Sequence, residues 1–324
     1  MLRKAFSIFT CIILVFNITA LAKMPQSNKN DLKTLGIAYG KGHITAKASK
    51  TILIGVIDTG ISNSYKDYNR FINKKEIPGN GIDDDNNGYV DDYSGYNFDE
   101  GCTRYNDTSL SNDITQHGTS VASIIAGKGN INKGIAPNVQ ILDLTWTWQL
   151  DRVINYANMM GCDIINISQK IFNEQCTPEL TSAIKNFKGL IVIAGGNDGR
   201  NINGLDYNQL TYMNFPNVVT VGALNNNNRG IAWYSTYNKK KIDVCIKGEY
   251  TGLVYKNKKW KTERFMGTSC AAPIVTGMAT LYKTKHKTAN GIAMKKALIN
   301  ATTKKGYTKK FHYGRLDVKK LLKK

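Results

Sequence analysis

A chain of 324 residues can bury one large core or two modest ones. Its 42% hydrophobic and 21% charged residues exclude a disordered or collagen-like polymer. Forty-four Lys and Arg against 24 Asp and Glu give a formal charge of +20, which favours anionic surfaces as partners. The excess lies in short lysine runs such as Lys239-Lys240-Lys241, Lys258-Lys259 and Lys323-Lys324, without interleaved aromatics. A solvated basic face with weak adhesion to anionic material is therefore expected, and specific nucleic-acid binding is not.

The first element in chain order is a secretory signal. Arg3 and Lys4 precede an apolar run from Ala5 to Leu21, and Ala20-Leu21-Ala22 places small residues at a cleavage site. Residues 1–22 are thus expected to be removed, giving a secreted chain, extracellular or periplasmic, that begins at Lys23. The rival, an uncleaved membrane helix, fits less well because Ser7, Thr10 and Asn17 interrupt a run of marginal length. Residues 23–50 are polar and read as an extension draped over the domain. Cys11 falls in the signal, leaving Cys102, Cys162, Cys176, Cys245 and Cys270. An odd number leaves at least one free thiol, and a Cys102–Cys176 pair is one open pairing among several. Without a C-x-x-C, a structural zinc site is not expected.

From residue 51 to 324 the chain reads as one α/β domain. Strands are predicted at Ile52–Ile57, Val139–Leu144, Asp163–Ile167, Leu190–Ala194, Val218–Val221 and Ile242–Ile246, and most are apolar at consecutive positions. That is the pattern of parallel strands buried on both faces. Predicted helices at His117–Ala126, Gln149–Met160, Pro178–Phe187, Ser269–Lys283 and Ile292–Asn300 alternate with them. The alternation predicts a mostly parallel central sheet flanked by helices on both faces. Residues 61–116, rich in Asp, Asn, Gly and Tyr and without a period, read as a long acidic loop insertion.

Three segments carry chemistry. Leu53 to Ile57 runs a buried strand into Asp58-Thr59-Gly60, setting a carboxylate at the sheet rim where open α/β sheets place their sites. His117-Gly118-Thr119-Ser120 opens a helix with an imidazole. Gly267-Thr268-Ser269-Cys270-Ala271-Ala272-Pro273 opens another with a hydroxyl at its N-terminus, and Pro273 is expected in the first turn, where N–H groups go unpaired. Singly these are a turn, a cap and a cap. Jointly, in the order Asp, His, Ser, they match the subtilisin order of a catalytic triad.

The chain resembles the subtilisin-like serine peptidases, the subtilase family, over roughly residues 34–320. Five ordered blocks carry the resemblance: D-T-G at Asp58, H-G-T-S-V-A at His117, G-I-A-P at Gly134, A-G-G-N at Ala194 and G-T-S-C-A-A-P at Gly267. Asn217 to Ala223 and Tyr313-Gly314-Arg315-Leu316-Asp317 also fit. The resemblance implies a serine endopeptidase acting on proteins or peptides, with Ser269 as nucleophile, His117 as base and Asp58 as its orienting carboxylate. It assigns Asn197 as the oxyanion donor and Ser168 and Gly196 as substrate-binding positions. It implies no cofactor for the chemistry and a monomer. Cys270 is expected as a buried neighbour of the nucleophile.

Two departures stand out. Where the family usually has Ser-Leu-Gly, this chain has Ile167-Ser168-Gln169-Lys170-Ile171, which alters the cleft; Leu144 to Trp148 also runs almost directly into the next helix, so narrowed specificity is expected. The stretch from Lys23 to Asp58 is too short for the family's long propeptide. In the acidic loop, Asp83, Asp85 and Asn87 alternate ahead of Gly88 like the start of a calcium loop, with Asp91 as a further candidate ligand; Ser94 stands where an EF-hand has Glu. The loop is thus a candidate for structural calcium. An aspartic peptidase is rejected because only one D-T-G occurs. A non-catalytic, subtilase-fold binder of peptides or polyanions is the alternative function.

Overall fold

A computed structural model describes residues 31, 35, 51–98, 102–103, 113, 115–169, 171, 175–202, 214–303 and 309–323. Strands β1 (Leu53–Asp58), β2 (Asn69–Arg70), β3 (Gly95–Asn97), β4 (Cys102–Thr103) and β5 (Gln140–Thr145) come first. β6 (Ile164–Ile167), β7 (Leu190–Ala194), β8 (Val218–Leu224) and β9 (Val244–Lys247) continue the main sheet, β10 (Glu249–Lys256) and β11 (Lys259–Met266) form a separate pair, and β12 (Thr302–Thr303) and β13 (Gly314–Leu316) rejoin the main sheet. The helices are α1 (His117–Ala126), α2 (Leu150–Met159), α3 (Pro178–Asn186), α4 (Thr268–Lys285), α5 (Gly291–Asn300) and α6 (Val318–Leu322).

The sheet order is β12-β13-β9-β8-β7-β6-β1-β5-β3-β4, with β2 also on β5. Pairings from β9 through β8, β7, β6 and β1 to β5 are all parallel. β1 alternates between faces as a period-two strand must: Ile54 and Val56 join a core with Ile124, Val275 and Met278 of α1 and α4. Leu53 and Ile57 join a second core with Ile154 of α2 and Ile184 of α3. Each such Ile contributes about 1.5–3 kcal/mol on burial. This is the predicted single α/β domain with helices on both faces.

The chain passes from β1 to β5 on one side, then crosses back to β6 on the other. The carboxyl end of β1 is therefore the topological switch point, where such sheets open a crevice. Asp58 stands there.

One expectation is corrected and one element is added. The 61–116 insertion is not loop throughout: β2 and β3 pair in parallel with β5 and extend the sheet. Segments of two or three residues carry no readable period. The β10–β11 hairpin, for which the sequence predicted no element, is paired antiparallel from Glu249↔Met266 to Lys256↔Lys259. Asn257 and Lys258 at its tip both have positive φ, the geometry of a type I′ turn. Asp31 of the N-terminal extension pairs with the buried Lys247 amine at 2.8 Å and accepts from the Thr251 hydroxyl at 2.8 Å. Among the described residues no helix is long and apolar enough to cross a membrane.

Candidate active site

β1 delivers Asp58 fully buried, and α1 begins at His117, whose side chain is 14% exposed. His117 Nδ1 lies 2.6 Å from Asp58 Oδ1, and the same oxygen accepts the Thr59 N–H at 2.8 Å. This approach explains the glycine after His117. A Cβ on Gly118 would come 2.2 Å from the Gly60 carbonyl oxygen and 3.1 Å from Asp58 Cβ. Only a glycine lets the start of α1 seat this tightly against the end of β1.

A second carboxylate, absent from the sequence reading, stands behind the pair. Asp113 is buried, accepts the Thr59 hydroxyl at 2.7 Å and the Thr119 N–H at 2.8 Å, and also accepts the Thr119 hydroxyl. Thr59 Oγ1 in turn accepts the Gly118 N–H at 3.0 Å, so Asp113 braces the Asp58–His117 junction through Thr59. Burial pushes the Asp113 pKa up to about 6; hydrogen bonds from Thr119 and Thr59 oppose the rise, and Asp58 adds to it. For His117, burial acts against the cation, but the Asp58 charge and hydrogen bond, with Asp113, outweigh it and raise the pKa above the ordinary value.

α4 brings Ser269 to the same end of the sheet. Ser269 Oγ donates to the Ser168 carbonyl at 3.0 Å, just past β6, and makes no hydrogen bond to His117. In return Ser168 Oγ donates to the Ser269 carbonyl at 3.1 Å and accepts Asn166 Nδ2 at 2.9 Å. Here the reading of Pro273 is corrected. α4 starts at Thr268, so Pro273 lies in the second turn and its missing N–H deprives the Ser269 carbonyl of a helical donor. The Ser168 hydroxyl supplies that bond instead. Cys270 is fully buried, as expected, and burial raises its thiol pKa well above the ordinary range.

Asn197 follows β7. Its Oδ1 accepts both the N–H (2.8 Å) and the hydroxyl (2.9 Å) of Thr268. The amide is thereby fixed with Nδ2 toward Gly267, where an added Cβ would meet Asn197 Nδ2 at 3.3 Å and Ser269 N at 3.6 Å. Both nitrogens thus border the small space beside Gly267, which has φ 141°. Ser269 N, in the first turn of α4, has no intrahelical acceptor and carries the positive end of the helix dipole. Gly196 also has positive φ, and its N–H donates to Thr268 Oγ1 at 3.1 Å.

Around these residues, the Phe265 ring of β11 stands edge-on to His117 at 5.2 Å. Gln116 Oε1 accepts the Tyr255 N–H at 2.7 Å, tying the hairpin to the head of α1. On the other side only Trp146 to Gln149 separate β5 from α2, and Trp146 N donates to the Asp58 carbonyl at 2.7 Å. Lys170 and the Cys102 side chain lie outside the described residues, and so do the Lys170 departure and a Cys102–Cys176 pair.

In the acidic insertion, Asp83 and Asp85 lie with Glu76, and one oxygen from each falls within 4.8 Å of the others. Asn87 and Asp91 face different partners. Asn87 bonds the Tyr89 N–H and Asp92, and Asp91 accepts the N–H groups of Gly79, Asn80 and Gly81.

A parallel α/β sheet with a carboxylate–imidazole pair and a serine at a helix N-terminus, all at its carboxyl edge, is the layout of a serine hydrolase. Residues 49–315 match the model of the Subtilase family, and the chain belongs to that family. It is 31% identical over 251 residues to the major intracellular serine protease of Bacillus subtilis, covering 72% of this chain and 69% of that one. It is 26% identical over 306 residues to subtilisin E of the same species, covering 86% of this chain and 69% of the relative. The epidermin leader peptide processing serine protease of Staphylococcus aureus shares the fold with a TM-score of 0.64 at 20% identity, over 92% of this chain and 82% of that structure. The protein is a serine endopeptidase, and its substrates are proteins or peptides.

Proposed function

We propose that this endopeptidase is secreted and cuts through an acyl-enzyme formed on Ser269, with His117 as general base, Asp58 as orienting carboxylate and Asn197 as oxyanion donor. The reading rests first on the 2.6 Å contact between His117 Nδ1 and Asp58. With the Nδ1–H committed to that carboxylate, Nε2 is the ring's basic nitrogen. Ser269 Oγ turns from the Ser168 carbonyl toward Nε2, a rotamer change of the ps–ns class. As Oγ attacks the scissile carbonyl carbon, its proton passes to Nε2, and Asp58 stabilises the imidazolium. The carbonyl oxygen becomes anionic in the space bordered by Asn197 Nδ2 and Ser269 N. Collapse breaks the C–N bond, with the Nε2 proton going to the leaving amine. Water then repeats the sequence to free the acid and restore Ser269.

The substrate backbone would lie as an added strand along Ser168 and Gly196, since main-chain pairing needs no particular side chain there. The short Trp146–Gln149 link supports a narrowed cleft and restricted cleavage. The basic, apolar N-terminal run supports export, and the +20 charge supports weak adhesion of a monomeric enzyme to anionic surfaces. Incubating the purified chain with a peptide library tests the reading. Cleavage confined to a few sequence contexts, and lost in Ser269→Ala and Asp58→Asn, is expected. Equal cleavage by Ser269→Ala would refute it.

A further inference from the structure

We propose that the outer edge of β11 takes the part of the substrate beyond the scissile bond as an added strand, and that lysines near the hairpin tip select acidic residues in it. The inference rests on the catalytic reading above and names the kind of substrate that reading leaves open.

The two edges of the β10–β11 hairpin are finished differently. With a two-residue turn, Lys256 and Lys259 form the closing hydrogen-bonded pair, so the residues between successive such pairs turn their N–H and C=O groups outward. On β10 these are Tyr255, Leu253 and Thr251, and side chains cover them. Gln116 Oε1 accepts the Tyr255 N–H at 2.7 Å. Ser120 Oγ accepts the Leu253 N–H at 2.9 Å and donates to the Leu253 carbonyl at 3.1 Å. Asp31 accepts the Thr251 N–H at 3.1 Å, and Asn132 Nδ2 donates to the Thr251 carbonyl at 2.8 Å. On β11 the outward residues are Trp260, Thr262, Arg264 and Met266. Among the described residues nothing bonds their outward N–H and C=O groups. Such a row is a template for another extended chain.

The position of this edge says which chain. β11 runs from the tip to Met266 and, through Gly267, straight into α4 and Ser269. The Phe265 ring stands edge-on to His117 at 5.2 Å, beside the imidazole that hands its proton to the leaving amine. The leaving segment therefore departs past β11 toward the tip, antiparallel to that strand. Charge then says which side chains it carries. Glu249 and Glu263 are already paired with Arg264 and Lys256. Lys258, Lys259 and Lys261 are exposed, and among the described residues no carboxylate pairs with them. At ~3.3 Å per residue, Lys261 and Lys259 stand roughly 16–23 Å beyond Met266, opposite substrate positions about six to nine residues after the cut.

The test uses peptides that share one cleavable sequence and differ only in an acidic or a lysine-rich extension after the cut. The readout is the ratio of kcat/KM for the acidic over the basic peptide. At low salt the ratio should be about three to ten in the parent, and one or below in Lys259→Glu/Lys261→Glu. It should hold in Lys239→Glu/Lys240→Glu, which changes the net charge equally at another exposed site. A ratio of one in the parent would mean that the lysines only guard an open edge against aggregation, and would overturn the inference. So would an equal fall in both double variants. Binding of the acidic extension to the Ser269→Ala chain, followed by fluorescence anisotropy, reads the same edge without cleavage. That binding should survive a failure of the catalytic reading, and its absence would overturn the inference alone. Backbone N-methylation of the extension at alternate positions should weaken binding in one register and spare it in the other; equal effects in both registers would contradict strand addition.

Discussion

Replacing Ser168 by Ala should reveal how the nucleophile's helix tolerates a proline in its second turn. Ser168 Oγ donates to the Ser269 carbonyl at 3.1 Å and accepts Asn166 Nδ2 at 2.9 Å. Asn166 is fully buried, and Ser168 is 3% exposed. Truncation strands one acceptor and one donor, each costing about 1–3 kcal/mol, so Ser168→Ala should destabilise by ~2–6 kcal/mol. The origin of that cost can be isolated. Pro273→Ala restores an N–H four residues after Ser269, able to bond its carbonyl in the ordinary helical way. In that background the Ser168→Ala cost should fall by ~1–3 kcal/mol, because only Asn166 is left stranded. The assay is urea unfolding of the four members of the double-mutant cycle, all carrying Ser269→Ala, which leaves that carbonyl intact. Additive effects, within ~0.5 kcal/mol, would refute the exchange of one hydrogen bond for the other.

Three further outcomes follow from the same geometry. Asn197→Ala should lower kcat by about 10²–10³ with little change in KM, the size of loss seen when subtilisin, a relative of this chain, loses its oxyanion asparagine; an unchanged kcat would remove Asn197 from the site. Because the His117 pKa is raised and the base must be neutral, the acidic limb of kcat/KM should lie above the ordinary histidine value of about 6.5. A limb well below that value would contradict the Asp58 pairing. Asp113, raised from 3.8 to about 6, favours its neutral form in the fold, so its contribution to stability is present below pH ~4 and lost as pH rises through about 6. About two pH units correspond to ~3 kcal/mol. Chemical denaturation from pH 4 to 7 should show that fall in the parent and not in Asp113→Asn; parallel curves would refute it.

Much of this structure was legible in the sequence because the central strands are buried on both faces. Leu53–Asp58, Ile164–Ile167 and Leu190–Ala194 read as mostly apolar runs, and five helices fall within two residues of their predicted ends. The β10–β11 hairpin was not legible. β11 exposes most of Lys259–Met266, and Lys258 takes a positive φ at a tip where Gly would have advertised the turn. Asp113 belongs to no recognised spacing; its role arises because the chain folds back on Thr59 and Thr119. Glu76 was missed for a similar reason. Asp83 and Asp85 are close in sequence, but Glu76 reaches them by turning back from an earlier part of the loop. Pro273 was misplaced by counting: even from Ser269 it is the fifth helical residue, past the unpaired N–H groups, and with α4 starting at Thr268, held by Asn197, it is the sixth.

The central claim is that Asp58, His117 and Ser269 form one reactive unit. Labelling the folded chain with a fluorophosphonate and mapping the adduct by mass spectrometry tests it most directly. One phosphonyl group on Ser269 is predicted, strongly slowed in His117→Ala and absent in Ser269→Ala. Labelling at another residue, or an equal rate without His117, would contradict it.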